Sequence, residues 1–368
     1  MDRDDRWHEE KLGALARHDQ IKFPQLHGDE LLYAYHRDEW FAAYSDWHDR
    51  GWADVLHLSL AEGKPLVIGR CHDNRARVHW DGLTGDAYAN IPNACVTDGH
   101  VYYPAKRDDG RWVVVKDHRE LDRSYAQIVG LSVNAGHMCL ALRDKDAFYV
   151  VDDGVWSKPY DLVWDYGTLN GRSLFAARRG SDAYVVHGDR EIGPWSGVWN
   201  LKTHRDKPLY SVCHNNRHEV FLGGCNWRAP AFVQDIACVN EKPFFSVKVD
   251  GYWAVVYEDI REGGFKRVSK LFNNHAKPLY EAVTEADGRG LYFGRERILD
   301  THDETLAAKP MSGRVVAICR DNAVCRVYVG DEDRQTYAAA FSLRQKKRRF
   351  EFGAIQGSDI LRVTRNFR

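Results

Sequence analysis

The chain has 368 residues, 52 Lys and Arg against 53 Asp and Glu, and a pI near 7.0. That balance excludes the global electrostatic footprint of a protein built to coat nucleic acid or an anionic membrane. No run approaches the ~18–20 consecutive apolar residues of a membrane span.

The first residues, from Met1 to Lys11, are charged and carry no apolar stretch of the secretory kind. The expected compartment is the cytoplasm, where the eight cysteines stay reduced. Glu9–Arg17 reads as a marginal helical turn or a strand.

From there the chain repeats itself. An apolar anchor recurs at Leu31, Leu66, Val101, Met138, Leu174, Leu209, Phe244, Leu279, Val315 and Phe350, in steps of 35 to 37 residues. Self-similarity at such a period means the repeat is the fold. Each anchor opens a run rich in Val, Tyr, Phe and Leu, then a turn, then a second run. Lys207–Gly224 and Lys242–Asp259 show the pattern. Asp108-Asp109-Gly110, Asn215-Asn216, Asp250-Gly251 and Asp287-Gly288 separate the runs. Asp81-Gly82, Asp153-Gly154, Gly188-Asp189, Gly223-Gly224 and Gly330-Asp331 close the second. These residues reach positive φ cheaply, so each unit begins with a β-hairpin. Pro65, Pro208, Pro243 and Pro278 stand just before anchors, where a strand tolerates proline.

The second half of each unit carries an aromatic and then an apolar residue: Tyr125 and Ile128, Tyr160 and Val163, Trp195 and Val198, Phe232 and Ile236, Phe265 and Val268. It reads as a third and a fourth short strand. The period leaves no room for long helices.

A small sheet with two apolar faces must stack on neighbours. The last unit breaks off after its hairpin, and within the closing segment 1–30 the residues Ile21–Leu26 look like its missing half. The expected fold is therefore all-β, one repeat domain over 1–368: a closed β-propeller of about ten short blades, the last completed by the N-terminal strand. A β-solenoid, or fewer and wider blades, are the alternatives.

Asp109-Gly110-Arg111-Trp112 and Asp250-Gly251-Tyr252-Trp253, with Tyr160-Asp161-Leu162-Val163 downstream, resemble the WG-type and related WD-like repeats of microbial β-propellers. The resemblance implies a binding or scaffold role and no particular reaction.

Chemistry-bearing patterns are sparse. Cys71, Cys139, Cys213, Cys238, Cys319 and Cys325 sit in or beside apolar runs, as core fillers do. His214 and His218 flank a hairpin turn and match no helical metal spacing. The pairs Asp152-Asp153, Glu258-Asp259 and Asp331-Glu332 recur at the closing turns, as turn chemistry demands. No catalytic residue, cofactor or metal ligand is assigned. The candidates that stand outside the repeat are the basic run Arg344, Lys346, Lys347, Arg348 and Arg349, and Trp47; Trp40 and Trp52 fall on core positions. The leading expectation is a non-catalytic scaffold with a protein partner, alone or as a subunit of an assembly. The alternatives are an enzyme or a carbohydrate or small-ligand binder with its site at the axial channel, and nucleic-acid contact through Arg344–Arg349.

Overall fold

The computed structural model describes residues 7–15, 20–49, 51–286, 288–300, 304–311, 314–322, 324–330, 332–346 and 349–366. Among them the strands form ten four-stranded sheets, and no helix is long and apolar enough to cross a membrane. The sheets are the blades of a ten-bladed β-propeller. Blades 1 to 9 span residues 20–48, 54–84, 95–125, 127–156, 162–195, 197–229, 233–265, 267–300 and 304–337. Blade 10 combines 339–366 with His8–Ala14.

Each blade is a meander of strands A, B, C and D, paired in chain order. All ten anchors fall near the start of strand B, and the B–C pair is the expected hairpin. The expected repeat unit therefore runs B, C, D and then strand A of the following blade. Its strand content is as expected, but each unit is shared between two sheets. Contacts group the residues into two compact units, one of 20–23 and 32–226, the other of 1–19, 24–31 and 227–368.

The core lies between neighbouring sheets. Cys139, Ala141 and Val150 of blade 4 face Val163, Phe175 and Val186 of blade 5. Ala237, Phe244 and Val255 of blade 7 face Tyr280, Ala282 and Tyr292 of blade 8. Each fully buried Val or Phe among them stabilises the fold by ~1.5–3 kcal/mol. The cysteines take part as expected: Cys139, Cys238, Cys319 and Cys325 are buried, and Cys71 and Cys213 half-buried. Burial pushes the Cys139 thiol up to about 12, with Asp152 and Asp153 adding to the shift.

A clasp recurs where strand C ends. The first residue of strand B offers a cation or imidazole, and the turn after strand C offers a carboxylate. Lys64 meets Asp81 at 2.6 Å, His100 meets Asp117 at 2.7 Å, and His137 meets Asp153 at 2.5 Å. Arg172 and Asp189 are looser at 3.6 Å, and Lys242 pairs with Glu258. In two blades the second carboxylate oxygen accepts a backbone N–H, from Val101 (3.1 Å) and from Met138 (2.8 Å). These pairs are well exposed, so each contributes little on its own. Their effect is to fix where strand C ends and the chain turns.

The N-terminal segment is a strand, not a helical turn. His8–Ala14 runs antiparallel to Asp359–Asn366, with Glu9 opposite Val363 and Lys11 opposite Leu361. Side chains hold it there. Glu9 accepts hydrogen bonds from Tyr337 (2.9 Å) and Gln335 (2.5 Å). Lys11 pairs with Asp359 at 2.6 Å, and Arg362 binds both Glu10 and Asp29. Trp7 stands edge-on to Phe350 and Phe352, at 5.3 and 6.1 Å between ring centroids. Ile21–Leu26 belongs to Gln20–His27, strand A of blade 1.

Trp7→Ala removes an aromatic that covers two buried phenylalanines. It is expected to cost about 2 kcal/mol, read as a lower denaturation midpoint with an unchanged slope.

Candidate functional site: a cleft between blades 4 and 5

The repeat places strands C and D of one blade beside strands B and C of the next. Between blades 4 and 5 this arrangement opens a cleft of about 480 Å³. Val150 and Phe175 form apolar wall, and His137, Asp152, Asp153, Asp189 and Glu191 bring polar groups. Lys158 and Arg172 are the cations at its edge.

The two adjacent aspartates divide their work. Asp153 sits in the closing turn at φ 45° and makes the clasp with His137 and the Met138 amide. Asp152 reaches across to the next blade and accepts the amide of buried Ser173 at 2.8 Å. The expected turn chemistry thus accounts for Asp153, while Asp152 ties two sheets together. His137, Asp152 and Asp153 bring ligand atoms within 4.8 Å of one another. A cation seated there would compete with two backbone amides for the carboxylates. The local stereochemistry favours the clasp.

Glu191 is the most constrained acid of the cleft. Its Oε1 accepts from the Tyr160 hydroxyl and from Arg179 Nη2, each at 2.6 Å, and Lys158 Nζ lies 3.7 Å from Oε2. The Arg179 hydrogen bond holds the Glu191 carboxyl below the usual range, against the opposing effect of burial; Tyr160 and the charge of Lys158 act in the same direction as Arg179. Burial, then Glu191, raises the Tyr160 phenol. The Arg179 guanidinium also lies over the Tyr160 ring at 4.8 Å. This group is a folded ion-and-ring stack, set by the partnering of one acid.

The rim is apolar. Val155 and Trp156 form a two-residue outer strand and are 73% and 44% exposed. Trp156 is held edge-on against Tyr149 at 5.4 Å.

The residues singled out in the sequence lie elsewhere. Trp47 is half-buried, packed on the cluster of Trp40, Trp52 and Leu58, with its ring 5.5 Å from His79. Trp40 and Trp52 are buried there, as their repeat positions imply. Of the basic run, Arg344 lies on strand A of blade 10 and Arg349 opens strand B. Arg344 is half-buried and 3.4 Å from His27 Nδ1, and Arg349 is 3.5 Å from buried Glu351. Lys346 ends strand A. Lys347 and Arg348 lie outside the described residues, as do Asp287 and Asp331. His214 and His218 lie on the two arms of the B–C hairpin of blade 6, where His214 pairs with Arg217 and His218 with Cys213.

Sequence reading missed Glu191 and the cleft itself, and placed Tyr160 only as an aromatic of the repeat. The available signal was the spacing of 16 or 17 residues between a basic residue or histidine and an acid, which marks every clasp.

No family model matches the sequence, and no curated protein matches it. Solved structures do resemble it. The β-propeller domain of the Trilobed protease from Pyrococcus furiosus, described as having an open velcro topology, is 11% identical, with 74% of this chain and 91% of that chain covered at a TM-score of 0.35. Apo AztD from Citrobacter koseri is 10% identical, with 89% and 93% covered at 0.38. BBS1N, solved in complex with ARL6DN, is 11% identical, with 77% and 93% covered at 0.27. These identities and scores leave the function to be read from this chain's own residues.

Glu191→Gln tests the charge network. A carboxylate held below its unfolded value stabilises the fold above about pH 4.5, and that contribution is lost as pH falls through the native value. The variant is expected to lose ~1 kcal/mol at pH 7. The gap from wild type should narrow as pH falls below about 4.5 in thermal unfolding.

Proposed function

We propose that this chain is a non-catalytic β-propeller that holds a protein partner, alone or as a subunit of a larger assembly, and that the blade 4–blade 5 cleft is a docking point. The observation that carries this reading is the exposed Val155-Trp156 rim beside a cleft richer in carboxylates than in cations. Four acids (Asp152, Asp153, Asp189 and Glu191) line it with two cations, Lys158 and Arg172. Tryptophan is enriched among residues that dominate binding energy, and an acidic surround favours a basic segment on the partner.

The engagement of the acids supports binding over turnover. A general acid or base needs a proton position within reach of substrate. Asp152, Asp153 and Glu191 spend their oxygens on backbone amides, His137, Arg179 and Tyr160. The basic run gives less support to nucleic-acid contact, because Arg344 and Arg349 already face His27 and Glu351. The hairpin turns at Gly110 and Gly251, with φ of 85° and 87°, support the WG-type reading of the repeat.

A tagged chain is expected to retain a partner from an extract of its source cells. Trp156→Ala should then weaken the purified pair by roughly tenfold or more, with its own melting temperature unchanged. Equal affinity of wild type and Trp156→Ala, or turnover by the isolated chain with no partner retained, would contradict the reading.

A further inference from the structure

Blades 7 and 8 form a second cleft at the same repeat position, of about 350 Å³. Its walls are Val255, Tyr257, Ile260, Pro278 and Phe293, and Tyr280 lines its floor. The volume falls in the range of small-molecule sites. The floor position recurs every 35 residues as Phe175, Tyr210, Phe245 and Tyr280, all buried. The packing around it recurs too. Phe265 stands edge-on to Tyr280 at 5.8 Å, as Tyr160 does to Phe175 at 5.8 Å. Tyr292 stacks flat on Tyr280 at 5.2 Å.

What differs is one oxygen. Tyr280 is 1% exposed, and its hydroxyl makes no hydrogen bond among the described residues. Burial, and then the nearby Glu262 carboxylate, hold this phenol well above its ordinary range, so it stays protonated. A buried hydroxyl without a partner is costly, and a ligand that supplies one gains that difference. The charges of the cleft sum to zero. Glu262 pairs with Arg295 at 2.5 Å, Lys277 lies over the Phe293 ring at 5.7 Å, and Glu296 completes the edge. A negative ligand head would meet Glu262 beside the hydroxyl. A neutral O–H meets no such penalty.

We propose that this cleft binds a small neutral phenolic molecule, its ring between Ile260 and Phe293 and its hydroxyl hydrogen-bonded to Tyr280. Ring walls of aliphatic and aromatic carbon suit a planar apolar body. The buried hydroxyl then selects the oxygenated ring over its hydrocarbon analogue, since a site with a polar group left unpaired rejects the ligand that lacks the match.

Calorimetric titration of the full chain with p-cresol and with toluene tests this. Wild type is expected to bind p-cresol about tenfold tighter than toluene, although toluene is the more hydrophobic of the two. In Tyr280→Phe the preference should collapse to roughly twofold or less, with toluene binding retained. That variant is expected to fold, because Phe175 and Phe245 fill the equivalent positions. Ile260→Lys, at a 40% exposed position on the rim, should abolish p-cresol binding. Should Tyr280→Phe fail to fold, Ile260→Lys decides alone. Equal binding of the two probes, binding of neither, a preference that survives Tyr280→Phe, or p-cresol binding unchanged in Ile260→Lys would overturn the proposal.

Discussion

The ladder between His8–Ala14 and Asp359–Asn366 joins the two ends of the chain in one sheet, and the tenth blade depends on it. Strand C of that blade would otherwise present an unpaired edge, which is a template for association with another chain. The ladder is reinforced at each level. Backbone pairing gives the register, Glu9, Lys11 and Arg362 give charge contacts, and Trp7 covers the core. Such a joint is of high contact order. Its loop-closure entropy must be met before its contacts form, which slows such a joint.

Within the remaining blades the same economy of parts recurs. The hairpin of strands B and C supplies the buried face. In blades 2, 3, 4, 5 and 7 the clasp at its end fixes the turn into strand D. An acid next to the clasp can then reach the following blade, as Asp152 does to Ser173. The clefts at Phe175 and Tyr280 are by-products of this geometry: they arise wherever two successive blades leave space outside the packed core. Divergence of a few side chains makes one acidic with a tryptophan rim and the other apolar with a buried hydroxyl. Function in a repeat fold is written in such departures from the repeat.

The sequence makes the repeat legible because buried strands impose a strict pattern. Leu174, Leu209 and Leu279 recur at fixed offsets since each fills the same position in strand B. The phase of the sheets is less legible. Strands D and A follow one another directly and carry similar aromatics, so nothing local marks the boundary between Tyr125 and Gln127. Glu9–Arg17 stays open between a helical turn and a strand because the residues of His8–Ala14 are largely exposed and show no alternation; the strand is decided by its pairing with Asp359–Asn366, at the other end of the chain. The clefts are hidden for the same reason. Glu191 and Asp152 come from different units, and the isolation of the Tyr280 hydroxyl is a statement about space, which no spacing encodes.

Hydrogen–deuterium exchange across the two chain ends tests the shared sheet most directly. Amides of His8–Ala14 are expected to be protected, and to lose protection together with those of Asp359–Asn366 as denaturant is added. Exchange of His8–Ala14 at the rate of an unstructured peptide, with Asp359–Asn366 still protected, would contradict the account.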